Sequence, residues 1–374
     1  MTRLTASPGL DLFFRSSSAS LFVRPQMAIE YPRRRPPLHN DPLDMDGHDA
    51  HSDPYQSDDD DDDSNSDTSD AVVEVSADEF PGYFQERGGR LFHSHGRSPY
   101  PLPVDAEEHQ RQNGLNQLLR RLIGDSSVGP VRELLVDAPG EQRRVLDLGT
   151  GTGEWVLDMA REFPRVRFYG VDIVPIATRY PPPNVTFEMH DIAEKFRYDS
   201  GSIDFVHARS ISMAIRDYGG LLPEIARLLR PGGLFVSNEW ARSPVMLDGS
   251  DIDIHAPSTA EFFRAVRDTL RERRGIPTIA HKIPELLQDS GHFTNVSSCP
   301  FFMPTGPWHE DPGLRELGRE NRDMVELYAR SMRAVLIDGP WAAQADTLIQ
   351  GCINESWRVP GLGLLYHTVH ARRR

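Results

Sequence analysis

The chain has 374 residues, enough for one large domain or two ordinary ones. Its two cysteines, Cys299 and Cys352, are too few and too far apart for a disulfide framework or a zinc-ligand set, so no metal is expected, and no apolar run approaches the roughly 18–20 residues of a membrane helix. The net charge of −15 belongs to one end: residues 1–80 hold 6 arginines against 18 acids, a net of −12, leaving −3 elsewhere and no basic stripe of the kind that binds nucleic acid directly.

Residues 1–78 are expected to form a disordered acidic tail. Ser, Pro, Asp and Arg dominate it and Asp58 to Asp63 is unbroken, so it cannot bury enough apolar surface to offset the entropy of ordering. The tail is either a solvated extension or a handle for regulatory protein partners. Arg33, Arg34 and Arg35 form a short basic patch compatible with nuclear import, which leaves a cytoplasmic or a nuclear location open.

Residues 79–142 read as a helical lead-in, because Leu115, Leu118, Leu119 and Leu122 recur at helical spacing. Gly129 and Pro130 make a turn, and a further helical piece runs through Val136. From residue 143 to 374 strand and helix alternate, the pattern of a mostly parallel, doubly wound α/β sheet. RRVLDL is its first strand and EWVLDMAREF an amphipathic helix with Trp155, Met159 and Phe163 at intervals of four. RFYGVDI, VTFEMHD and IDFVHAR follow as strands two to four, LLPEIARLLR is a helix ended by Pro231 and Gly232, and LFVSNEW is strand five. IAHKIPELLQDSG predicts a helix capped by Gly291, NVSSCPFFMP a strand, residues 311–357 a helical insertion, and GLGLLYHTVHA the last strand.

The glycine-rich stretch VLDLGTGTGEW, Val145 to Trp155, lies between a strand and a helix. Gly149, Gly151 and Gly153 permit a tight turn on which a ligand can approach backbone, and the helix N-terminus supplies unpaired N–H groups. A dinucleotide fingerprint needs a small residue three positions after its second glycine, where Glu154 stands, and an acid there opposes a pyrophosphate. That spacing argues against a nicotinamide-dependent oxidoreductase. S-adenosylmethionine has no phosphate and carries a sulfonium charge, so Asp147 and Glu154 suit it. Asp172, about 20 residues beyond the glycines at the end of strand two, is placed to accept ribose hydroxyls, with Ile173 beside the adenine. Asp191 and Ile192, after strand three, complete the expected cofactor contacts, Asp191 accepting from the adenine amino group.

At the carboxyl ends of strands four and five, where open α/β sheets bind ligands, stand His207, Arg209, Asn238, Glu239 and Trp240. Methyl transfer needs an aligned acceptor and removal of its proton, and His207 or Glu239 could take that proton, with Arg209 alongside.

Beyond these residues, the chain resembles the fungal LaeA-like family of S-adenosylmethionine-dependent methyltransferases from about Gly89 to its C-terminus. The resemblance is carried by LFHSHGRSPYPLPVDAEEHQRQN, VLDLGTGTGEW, GVDIVPI, PPPNVTFEMHDI, SIDFVHARS, LLRPGGLFVSNEW, MPTGPWHEDPGLRELGREN and WRVPGLGLLYHTVHAR. It implies the seven-strand Rossmann-like class I methyltransferase fold, cofactor contacts from Asp147, Gly149, Gly151, Gly153, Asp172 and Asp191, and an acid, Glu239, ending strand five. The family includes a nuclear regulator of secondary metabolism that works with velvet proteins and members that methylate small molecules, so a small-molecule acceptor and a regulatory role in a protein complex both follow from it. HDI replaces a more acidic family stretch at residues 190–192, and GRENRDMVELYARSM a more leucine-rich one in the insertion. ARSISM follows strand four in place of the Asn-Pro-Pro-Tyr/Phe motif, which points away from methylation of nucleobase or glutamine amides.

Overall fold

The fold is that of a computed structural model, which describes residues 79–374 apart from 137–139, 176 and 179; the acidic tail predicted for residues 1–78 lies outside the described residues. The described chain opens with a hairpin, β1 (Phe84–Arg87) and β2 (Arg90–His93), followed by α1 (Ala106–Ile123) and α2 (Val131–Leu135). Asp105 starts α1 by accepting the Glu108 N–H at 3.2 Å, and Gly124 ends it in a left-handed conformation. There follow β3 (Arg144–Leu148), α3 (Glu154–Glu162), β4 (Arg167–Asp172), β5 (Val185–Met189), β6 (Ile203–Arg209), α4 (Tyr218–Leu228) and β7 (Leu229–Met246). The remainder is α5 (Ile252–His255), α6 (Pro257–Arg274), α7 (Ile283–Asp289), β8 (Phe293–Pro304), α8 (Pro312–Ser331), α9 (Arg333–Ile337), α10 (Ala345–Arg358) and β9 (Leu362–Arg373).

Seven of these strands form one sheet in the order β5-β4-β3-β6-β7-β9-β8. The first five run parallel, and β9 inserts antiparallel between β7 and β8. The chain leaves β3 in one direction toward β4 and β5 and returns on its other side as β6, so the crevice at the carboxyl ends of β3 and β6 is the ligand-binding switch point of the sheet.

Alternation along β3 and β6 sorts their side chains between two layers. Leu146, Leu148, Val206 and Ala208 join the core that includes α4 and α7. Val145 and Phe205 join the core under α3, with Trp155, Met159 and Phe168. By the same alternation Asp147 and His207 point into the α3 layer.

The structure departs from the sequence reading at the β1–β2 hairpin, which falls within the residues 79–142 read as a helical lead-in, and at two further elements. The helix read through LLPEIARLLR stops at Leu228, because Leu229 already pairs with Ile203 as the start of β7. Residues 257–274, for which the sequence analysis gives no element, form α6, which begins with Pro257, ends at a left-handed Gly275, and packs Phe262, Phe263, Val266 and Leu270 against α9 and α10.

Candidate active site

The turn after β3 forms because its glycines adopt conformations that other residues resist: Gly149, Gly151 and Gly153 have φ of 66°, 57° and 80°. Gly153 immediately precedes α3, and a Cβ on it would lie 2.5 Å from the Phe187 ring, so the turn is also pressed against β5. Asp172, at the end of β4, secures the turn from the side: its carboxylate accepts the Gly151 N–H at 2.8 Å and the Val174 N–H at 3.3 Å. Burial raises the Asp172 carboxyl to about 6 against the opposing pull of these N–H groups.

A cavity of about 210 Å³ opens on this turn and extends across the carboxyl ends of the strands. At one end lie Gly149, Thr150, Gly151, Asp172, Ile173 and Asp191, with Ile192 behind them. Asp191 accepts the Ala193 N–H at 3.0 Å and the Arg97 N–H at 3.3 Å, which draws residues 95–98 over this end of the cavity. The rest of the lining includes Arg209, Glu239, Trp240 and Arg242 from β6 and β7, Tyr100, and residues of α1 and α8; α1 also reaches the glycine turn, where Asn113 Oδ1 accepts the Thr152 hydroxyl at 2.6 Å.

Glu239 is buried, and the segment after β6 wraps it. Its Oε1 accepts the Ile211 and Ser212 N–H groups at 2.8 and 3.0 Å, and its Oε2 accepts the Ser212 hydroxyl at 2.7 Å. Burial pushes its carboxyl up to about 7, although Ser212 and the nearby Arg242 charge pull the other way. Arg209 does not pair with Glu239; its Nη1 donates to Asn116 Oδ1 of α1 at 2.7 Å.

The structure does not bring His207 or Asp147 to the cavity wall. His207 Nδ1 lies 2.7 Å from Asp147 Oδ1, its Nε2 lies 3.1 Å from Asn238 Nδ2, and its ring stacks on Trp155 at 3.7 Å. Both His207 and Asp147 are buried in the layer under α3. The His207 ring and the Asp147 carboxylate are thus turned toward each other rather than into the cavity lining, in contrast to the sequence expectation. Gly153 also lies outside the lining and serves the turn instead.

Sequence reasoning missed Tyr100, Arg111, Asn116, Arg242 and Tyr328, all of which line the cavity. Tyr100 lies in the aromatic lead-in, whose density of aromatic and proline residues was the available signal. Arg242 lies past the end of the expected fifth strand, and Tyr328 lies in the insertion.

The strand order, the glycine turn at the switch point, the acid ending β4 and the acid just after β5 define a class I, S-adenosylmethionine-dependent methyltransferase. A family model described as a methyltransferase domain matches residues 108–297. The secondary metabolism regulator laeA of Coprinopsis cinerea is 31% identical over 278 residues, spanning 72% of this chain and 69% of that protein. Methyltransferase pytC of Aspergillus terreus is 28% identical over 257 residues, 67% of this chain and 75% of its own length. Among solved structures, phosphoethanolamine N-methyltransferase 2 of Haemonchus contortus in complex with S-adenosyl-L-methionine is 17% identical, with a TM-score of 0.44, covering 79% of this chain and 72% of that one. The chain belongs to the LaeA-like family of S-adenosylmethionine-dependent methyltransferases.

The residues fit that cofactor. Three acids, Glu154, Asp172 and Asp191, line the glycine end of the cavity, as a cationic, phosphate-free ligand requires. The Thr150 hydroxyl oxygen is buried there without a hydrogen-bond partner. Among the described residues no group of His, Cys, Asp or Glu could hold a metal, and no helix is long and apolar enough to cross a membrane.

Proposed function

We propose that the chain methylates a small molecule of secondary metabolism, bound in the half of the cavity beyond Glu239. The observation that carries this reading is the continuity of one cavity from the glycine turn to an aromatic and arginine-bearing wall. In this reading Gly149 and Gly151 present backbone to the cofactor, Asp172 accepts its ribose hydroxyls, and Asp191, Ile173 and Ile192 hold the adenine. The cofactor supplies an activated methyl group, so the protein has to align the acceptor, which can be worth about 7–11 kcal/mol. Glu239 is placed to take the acceptor's proton and Arg209 to orient the acceptor. Residues 143–374 act as the catalytic domain, residues 79–142 as a lead-in that closes one side, and α8 of the insertion as a partial lid.

The test is to titrate S-adenosylmethionine into the full chain, then incubate the loaded protein with separated small-molecule and protein fractions of a fungal culture. A gain of one methyl group in a small-molecule product supports the proposal. Methylation confined to the protein fraction refutes it.

A second reading rests on the relative in Coprinopsis cinerea, which is named a secondary metabolism regulator. Here the chain acts in a nuclear protein complex, with residues 1–78 as the partner-binding segment and Arg33 to Arg35 directing import. Fluorescent fusions with and without residues 1–78 test it: identical distribution and identical partners on pull-down would leave the tail without this role.

A further inference from the structure

The charges lining the cavity are segregated. Glu154, Asp172 and Asp191 stand at or just past the glycine turn, β4 and β5, whereas Arg111, Arg209 and Arg242 come from α1, β6 and β7, with Glu239 on β7 as well. Each arginine has a different status. Arg111 is already neutralised, because Glu108 takes its Nε at 2.9 Å and its Nη2 at 2.5 Å. Arg209, the last residue of β6, donates to the neutral Asn116. Arg242 stands on β7 two residues past Trp240 and lines the cavity.

Arg242 is buried, yet every hydrogen bond it makes is to a neutral oxygen. Nη1 donates to the Ser212 hydroxyl at 3.3 Å, Nη2 donates to the Pro277 carbonyl, and Nε is buried with no partner. Among the described residues the carboxyl that acts on it is that of Glu239, whose oxygens are already occupied by the Ile211 and Ser212 donors. Burial lowers the Arg242 pKa below its ordinary value, the direction expected of a cation short of a counter-charge. Beside it Tyr328 is held neutral, its phenol pushed up to about 12 by burial, so it can donate a hydrogen bond to an anion. Phe263, Trp240, Met324 and Leu364 supply apolar lining.

Resting on the proposed function, we infer that the acceptor carries a carboxylate on an apolar body: the carboxylate seats against the Arg242 guanidinium and the Tyr328 hydroxyl, and the body lies among Phe263, Trp240, Met324 and Leu364. A buried guanidinium without a full counter-charge is costly by itself, and an incoming anion supplies the missing partner. A neutral amide of the same shape restores one hydrogen bond but no charge, so the site discriminates between the two.

The experiment uses the full chain saturated with S-adenosylhomocysteine and a series of ω-phenylalkanoic acids, each compared with its primary amide by calorimetry. The expected result is that at least one acid binds 10-fold or more tightly than its amide. Arg242→Met should erase that preference while leaving S-adenosylhomocysteine affinity within about twofold, and Arg242→Lys, which keeps the charge, should retain part of it. Equal binding of acids and amides across the series, or an acid preference that survives Arg242→Met, overturns the inference. An acid preference lost together with S-adenosylhomocysteine binding in Arg242→Met assigns the arginine to the cofactor's own carboxylate and also overturns it. Failure of the wild-type chain to bind S-adenosylhomocysteine at all would instead refute the cofactor site on which the proposed function stands.

Discussion

His207 Nδ1 and Asp147 Oδ1 lie 2.7 Å apart with both side chains buried, and this pair ties β3 to β6 directly beneath the glycine turn. Burial lowers the His207 pKa below its ordinary value of 6.5 even though Asp147 opposes that shift, so the ring is neutral at physiological pH. The neutral tautomer that donates from Nδ1 to Asp147 leaves Nε2 to accept from Asn238, which satisfies both nitrogens. His207→Ala strands a buried carboxylate and removes the stack on Trp155, and is expected to cost about 3 kcal/mol or more. A depressed histidine pKa gives stability that is fully present above 6.5 and is lost as pH falls below it. Thermal melts of wild type and His207→Gln from pH 5 to 8 should therefore converge toward the acid end. A His207→Gln protein with wild-type stability and no turnover would mean that the ring belongs to the chemistry after all.

Glu239 titrates with the opposite sign. Its carboxyl is raised to about 7 by burial, so its contribution to stability is complete below the ordinary carboxylate value of 4.5 and is lost as pH rises through about 7. Glu239→Gln can keep its carbonyl oxygen on the Ile211 and Ser212 N–H groups, so the variant should fold and should melt higher than wild type above pH 7. Turnover should fall by about 10²–10⁴ if Glu239 takes the acceptor's proton. The wild-type rate should rise with pH through about 7, and that limb should be missing in the variant. A rate profile unchanged by Glu239→Gln would reduce Glu239 to a brace for residues 211–212.

How much of this could be read from residues alone depends on whether local pattern or long-range contact decides the role. The glycine turn and Asp172 were legible because the φ requirement and the spacing are local properties, and the structure places both on the cavity. The role of His207 was not, because β6 is buried on both faces along nearly all its length. A central parallel strand shows no polar alternation, and nothing in IDFVHAR says that Trp155 of α3 covers the histidine. Helix α6 was available in the text, with Pro257 at its start, Gly275 at its end and Phe262, Val266 and Leu270 between them at helical spacing. The hairpin β1–β2 offered only a Gly88–Gly89 turn between short, charged strands, a weak signal.

Asp172 holds the Gly151 N–H, so its loss should affect cofactor binding twice: through the proposed ribose contacts and through the shape of the turn. Asp172→Ala is expected to weaken S-adenosylhomocysteine binding by about 10- to 100-fold, the equivalent of one or two charged hydrogen bonds. Gly151→Val should do more. It forces a β-branched residue to φ 57°, and its Cβ would lie 2.8 Å from the Gln112 side chain, which can move, so the main penalty is about 1–2 kcal/mol of backbone strain plus the cofactor's lost approach. Calorimetry on both variants checks this, and wild-type affinity in either would place the cofactor elsewhere.

The last prediction concerns the wall of the acceptor half, where α1 and α8 meet. Glu108 and Arg111 form a bidentate pair inside α1, Glu108 fully enclosed, and the Ser331 hydroxyl at the end of α8 approaches Glu108 Oε2 at 3.4 Å. The Arg111 guanidinium also lies 5.9 Å from the Tyr328 ring centre, so one buried ion pair connects both helices to the cavity lining. Removing one partner leaves the other charge buried and unpaired, and Glu108→Ala should cost about 3–5 kcal/mol. A second ion pair joins the same helices at the surface, Arg121 to Glu320 at 2.7 Å, but its side chains are 45% and 38% exposed. Solvent screens that pair, so Arg121→Ala should cost about 1 kcal/mol or less. Replacing both buried partners, as Glu108→Leu with Arg111→Met, should recover much of the loss because no charge is left stranded. Urea denaturation of the three variants measures the differences. Comparable losses for Glu108→Ala and Arg121→Ala would show that packing of the α1 and α8 leucines, rather than the enclosed ion pair, sets the stability of this wall.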